Sequence, residues 1–153
     1  MSVTDTDLPS DWPCEWSEGT IPFVFDFFSV NPKRLRSLVR KGHEFLQKRS
    51  CLTFIEHNPV LMAQQLNTTY LYYTYSGVLE SCCLHYYFKP VGRRMILITP
   101  TCTLPPEVAH VTLHGMGLDH RKREPFQESR VRAALFPTYC SNIEGKVENF
   151  GKL

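Results

Sequence analysis

Apolar and polar positions recur along this chain with two different periods, and the switches between them mark its elements. The run Thr20-Ile-Pro-Phe-Val-Phe-Asp-Phe-Phe28 is β-branched and aromatic, which predicts a strand entering the core. Pro22 suits only the start or edge of such a strand. Asn31-Pro32 predicts a helix start, with asparagine as cap and proline in the first turn. Leu35, Leu38, Val39, Gly42, Phe45 and Leu46 then keep helical period and predict one buried face. Further strands are predicted over Cys51–Glu56, Tyr70–Tyr75, Leu84–Phe88 and Arg94–Thr99, with turns at Gly77 and at Pro90 to Gly92. The stretch from Glu56 to Gln65 reads as less regular. A second long helix is predicted after Leu104-Pro105-Pro106, and Val131–Phe136 as a short third one. Together these predict an α+β fold with a sheet of about five strands and two long helices.

Residues 1–15 are polar and proline-containing and read as an irregular leader, leaving residues 16–153 as one domain with a single core. The basic face of the first helix (Lys33, Arg34, Arg36, Arg40, Lys41, Lys48, Arg49) is read as solvated, and a net charge of +2 gives no argument for a nucleic-acid or membrane partner. No run reaches transmembrane length, and the acidic start MSVTDTDLPSDWPCEW lacks the apolar stretch of a signal peptide. The six cysteines and the glycosylation acceptor Asn67-Thr68-Thr69 point instead to oxidising surroundings, so localisation stays open between the two.

The candidate chemistry lies in residues 106–124, PEVAHVTLHGMGLDHRKRE. His110 and His114 are one helical turn apart and share a face. Gly117 can leave the helix with positive φ and turn the chain back, which would bring His120 towards them. Three imidazoles with one open corner make a catalytic zinc site, and H-x-x-x-H-x-x-G-x-x-H is the metzincin spacing. The motif's Glu after the first histidine is here Val111. That Glu takes a proton from the attacking water and returns it to the leaving amine, and valine has no lone pair for either task. Glu107, one turn earlier, lies about 6 Å back along the axis, too far to replace it. Asp119 reads as a group that orients an imidazole. His43 and His57 are assigned to structure.

With these residues the chain resembles the astacin family of zinc metalloendopeptidases. Trp16…Gly19-Thr-Ile-Pro-Phe23 is similar to that family's mature N-terminal strand, Arg49-Ser-Cys-Leu-Thr-Phe54 to a Thr-Cys-Ile-Arg-Phe strand, and Asn142-Ile143…Asn149-Phe150-Gly-Lys152 to the run after the zinc helix. The resemblance covers residues 16–153 and implies a zincin-like N-terminal subdomain with a twisted mixed sheet. It implies Zn2+ held by His110, His114 and His120. It also implies a Cys82–Cys102 loop disulfide, and a peptide or protein laid along an edge strand near Leu84–Phe88, where His85 either helps hold the peptide or simply alternates. The chain departs from the family at Val111, at Cys83 in place of an aromatic, and at Arg121 in place of an acid. Cys51 lacks its family partner and is left unpaired or bonded to Cys14 or Cys140. The Met-turn and lower subdomain are not found in this sequence. The expected function is a metalloendopeptidase domain that binds zinc with little or no hydrolysis. The alternative is a non-catalytic peptide- or protein-binding module, a pseudoprotease.

Overall fold

The computed structural model describes residues 8–9, 12–29, 31–77, 84–87, 89, 91–119, 126 and 128–136. Strands β1 (Thr20–Phe25), β2 (Thr53–Glu56), β3 (Tyr70–Tyr75), β4 (Leu84–Tyr86) and β5 (Arg93–Ile98) form one five-stranded sheet in the order β2-β1-β3-β5-β4. All neighbours are parallel except β4, which runs antiparallel to β5 along the edge. Helices α1 (Pro32–Gln47) and α3 (Pro105–Met116) are the two long ones, with α2 (Pro59–Ala63) and α4 (Glu128–Leu135) shorter. This is the α+β architecture that the periodicities predict, with the mixed sheet that the resemblance implies. Among the described residues no helix is long and apolar enough to cross a membrane.

The core lies between the sheet and the α1–α3 pair. It is built from Ile21 and Phe23 of β1, Leu35, Val39 and Leu46 of α1, Leu71 and Tyr73 of β3, and Ile96 and Ile98 of β5, which meet Val108, Leu113 and Met116 of α3. Fully burying such side chains contributes about 1.5–3 kcal/mol each. Gly42 is required by close packing, since a Cβ there would stand 2.5 Å from Val108 Cγ1. Before β1, Trp12 and Trp16 are 3 and 1% exposed and meet edge to face at 5.3 Å, so the segment that reads as a leader contributes to the core.

Several local details differ from the sequence expectations. β1 ends at Phe25 because the Asp26 carboxylate accepts the Phe28 N–H at 3.0 Å and folds the chain into a turn, leaving Phe27 and Phe28 exposed. Asn31 is not a side-chain cap: it sits in the left-handed region (φ 51) and its side chain makes no cap bond. α2 replaces the expected irregular stretch, because Asn58 Oδ1 accepts the N–H groups of Val60 and Leu61 and Pro59 presets the first turn. Cys51 and Cys102 each take part in a disulfide. Cys82, Cys83 and Cys140 lie outside the described residues, as do Phe88 and the tail from Asn142 to Lys152.

Candidate metal centre

α3 begins where the Glu107 carboxylate accepts the Leu104 N–H at 3.1 Å, so this acid is engaged at the helix start. One turn in, His110 and His114 project from the same face and their Nε2 atoms stand 3.0 Å apart, with the rings inclined at 75°. Val111, Thr112 and Leu113 between them point the other way and are 3, 0 and 0% exposed. Helical period thus divides α3 into an imidazole face and a core face, and Val111 belongs to the core face.

The helix ends as its glycine suggests. Gly117 has φ 123, its N–H donates to His114 O and Leu113 O, and Leu118 N–H also returns to Leu113 O. A Cβ at Gly117 would stand 3.2 Å from Arg94 Nη1. Arg94 itself is fully buried, donates to Met116 O at 2.6 Å and lies over the Trp16 ring. A cation here suits the carbonyl end of the helix dipole. The turn carries Asp119 back to the histidine face. His120 and Arg121, the residues after it, lie outside the described residues.

From the sheet side, β4 pairs with β5 so that His85 lies opposite Ile96. Its ring stacks on that of His114, with centroids 4.9 Å apart and planes 4° from parallel. One donor atom each from His85, His114 and Asp119 all lie within 4.8 Å of one another. The Phe126 ring stands 4.9 Å from the His110 ring and 5.0 Å from that of His114. Burial holds the His85 imidazole below its ordinary pKa; the Asp119 carboxylate acts against that shift and His110 reinforces it.

These donors fit a divalent metal of the zinc type. Two imidazole nitrogens about 2.0–2.1 Å from a tetrahedral zinc stand about 3.3 Å apart, close to the 3.0 Å between His110 and His114. Of the sequence-predicted ligands, the structure brings together His110 and His114. His85 and Asp119 join the group, and the sequence offered no ligand spacing for either. Strand alternation places His85 on a face without saying what that face meets, and Asp119 reaches the rings only through the Gly117 turn.

The other two described histidines differ. His43 is 5% exposed, stacks on Phe54 at 4.0 Å and bonds the Tyr73 hydroxyl at 2.9 Å, which in turn bonds Thr112 Oγ1 at 2.7 Å. Burial pushes the His43 pKa down to about 3 and raises that of Tyr73. His57 is exposed and lines a surface cleft of about 540 Å³ with Asp26, Arg36 and Glu56 at the ends of β1 and β2.

The chain is 25% identical over 153 residues to the zinc metalloproteinase nas-12 of Caenorhabditis elegans, covering 100% of this chain and 35% of that protein. It therefore spans about a third of that relative's length. Among solved structures it is similar to high choriolytic enzyme 1, a hatching enzyme zinc-protease of the medaka fish Oryzias latipes. That similarity has a TM-score of 0.48 at 13% identity and covers 68% of this chain and 46% of the fish enzyme. The family model for Astacin, a family of peptidases, matches residues 10–144. The chain belongs to the astacin family of peptidases, whose cofactor is Zn2+.

Proposed function

We propose that this astacin-family metalloprotease domain binds one zinc ion through His110, His114 and His120 and hydrolyses peptides weakly or not at all. The observation that supports the reading most directly is the pairing of two facts on α3. The Nε2 atoms of His110 and His114 converge at 3.0 Å, while the residue between them that would handle protons is Val111, turned into the core. Bound zinc would supply Lewis acidity to a water and to a substrate carbonyl. His110 and His114 would hold it, His85 and Phe126 would screen one side of it from solvent, and the chain carries no side chain at position 111 able to accept or return a proton. Absence of a positioned general base costs about 10²–10⁴ in rate. Glu107 does not make up the deficit, because its carboxylate is bound to Leu104 N–H. We also assign the partner of the disulfide-bonded Cys102 as Cys82, on the spacing of the family's loop.

A second reading is capture of a peptide without cutting it. It is favoured by β4, which closes the order of the sheet with one flank facing away from β5 and with Leu84 and Tyr86, the chain neighbours of His85, exposed. An extended peptide pairing with that flank would lie next to the metal. The test is metal content by mass spectrometry combined with turnover of a peptide library. The expected result is one zinc per chain, lost in His110→Ala and His114→Ala, with turnover at least about 10²-fold below that of an astacin-family peptidase carrying the Glu. A zinc-free wild-type chain, or turnover equal to the comparator's, would overturn the proposal.

A further inference from the structure

The turn that ends β1 holds an apolar tip out in water. Phe27 and Phe28 are 75 and 88% exposed, and their rings meet edge to face with centroids 5.2 Å apart. The backbone beneath them is tied to β3. Asp26 N–H donates to Tyr73 O at 2.8 Å, the Asp26 carboxylate accepts Phe28 N–H at 3.0 Å and the Thr74 hydroxyl at 2.9 Å, and Ser29 Oγ accepts Tyr75 N–H at 3.0 Å. Positive charge lies beside this tip. Phe27, Pro32 and Arg36 line one surface cleft of about 540 Å³, and Lys33, Arg34 and Arg40 are exposed on the same first turns of α1, which has no acidic residue before Glu44. The two acids that line the cleft are engaged, Asp26 within its turn and Glu56 with Arg40 at 3.5 Å. The net charge of +2 is therefore spread unevenly, with Lys33, Arg34 and Arg36 gathered next to two exposed aromatic rings.

We propose that this end of the sheet docks on an anionic lipid bilayer, with Phe27 and Phe28 entering the headgroup region and Lys33, Arg34 and Arg36 meeting the lipid phosphates and carboxylates. An aromatic tip with basic neighbours is the combination that an interfacial anchor uses. The same geometry disfavours other occupants. Rings inclined at 75° offer no pair of parallel faces on which successive bases could stack. Their exposed area is roughly 300 Å² at the usual size of phenylalanine, well under the ~800 Å² per partner of a standard protein interface. The chain would lie on the surface without spanning it, since among the described residues no helix is long and apolar enough to cross a membrane. β4, which carries His85, is three places from β1 in the sheet, so docking through the β1 turn leaves the histidine face uncovered. The proposal is independent of the zinc reading.

The test is co-sedimentation of the full chain with vesicles of phosphatidylcholine alone and of equal parts phosphatidylcholine and phosphatidylserine, at low and high salt. Wild-type binding is expected to be at least about tenfold tighter to the mixed vesicles and to weaken as salt rises. Joint substitution Phe27→Ser and Phe28→Ser is expected to weaken it by about tenfold or more, and Arg34→Gln and Arg36→Gln by about fivefold each. All four side chains are exposed, and unchanged melting checks that the variants are folded. Absence of wild-type binding to the mixed vesicles, equal binding to both kinds, or binding that survives loss of both phenylalanines would overturn the proposal. So would a dimer that forms without vesicles and is abolished by the two serines, because the tip would then belong to a second copy of the chain.

Discussion

The two faces of α3 each deal with imidazoles, and they do so in opposite ways. On the core face, Thr112 bonds Tyr73, and Tyr73 bonds the nearly fully buried His43, which is stacked on Phe54. Each of the three side chains in that line meets a hydroxyl, and burial keeps the ring neutral. On the other face, His110 and His114 point their nitrogens at each other, with His85 and Asp119 close by. There titratable groups stand close to one another. An imidazole given one good hydroxyl partner inside a core is a structural group, whereas several that share one half-buried space are able to hold a cation. The residue type is the same, and the neighbours decide its role.

The comparison is broken most severely by moving chemistry from one face to the other. Val111→Glu puts back the base that the helix lacks. Peptide cleavage is therefore expected to rise by about 10²-fold or more in Val111→Glu, measured on the same peptide library at full zinc occupancy. No gain would mean that the cleft, and not the missing base, limits cleavage.

A smaller effect separates the faces by pH. His43 is held at about pKa 3 when folded and returns to about 6.5 when unfolded. The unfolded chain then binds the extra proton between those values, so this contribution is fully present above about pH 6.5 and is lost as pH falls towards 3. Stability in the metal-free protein should drop by up to about 1.4 kcal/mol per pH unit across that window. In His43→Leu the slope should flatten, as read by urea unfolding at a series of pH values, and an unchanged slope would assign the acid sensitivity elsewhere. The smallest expected effect is that of Thr112→Val, which removes one partner of the Tyr73 hydroxyl and should cost about 1–2 kcal/mol. Zinc affinity should not change, because Thr112 faces away from the donors; a parallel loss of metal would show that the two faces are coupled through α3.

Much of this arrangement follows from local rules that act along the chain. Periods of two and of 3.6 residues produce the strands and the two long helices close to their observed bounds, and i, i+4 spacing alone aligns His110 with His114. Gly117 leaves the helix with positive φ, where a side chain would be strained and would meet Arg94, so glycine is the residue that this exit requires. Short-range side-chain bonds were harder to foresee, as the Asp26 turn that ends β1 and the Asn58 cap that starts α2 both illustrate. Each depends on whether a carboxylate or amide prefers the backbone to water, and the hydropathy pattern carries no trace of that choice.

What no local rule contains is the approach of elements distant in sequence. The strand order, the burial of Trp12 and Arg94, the contact of His43 with Tyr73, and the stacking of His85 on His114 all required the sheet and helices to be packed together. The physical reason is that a side chain's periodicity tells which face it occupies, while its pKa, its partners and its capacity to bind a metal depend on what that face is pressed against. The motif on α3 could align His110 with His114 because those two residues share one helix. His85 and Asp119 reach His114 from an edge strand and a turn, and only the folded chain brings them to the same place.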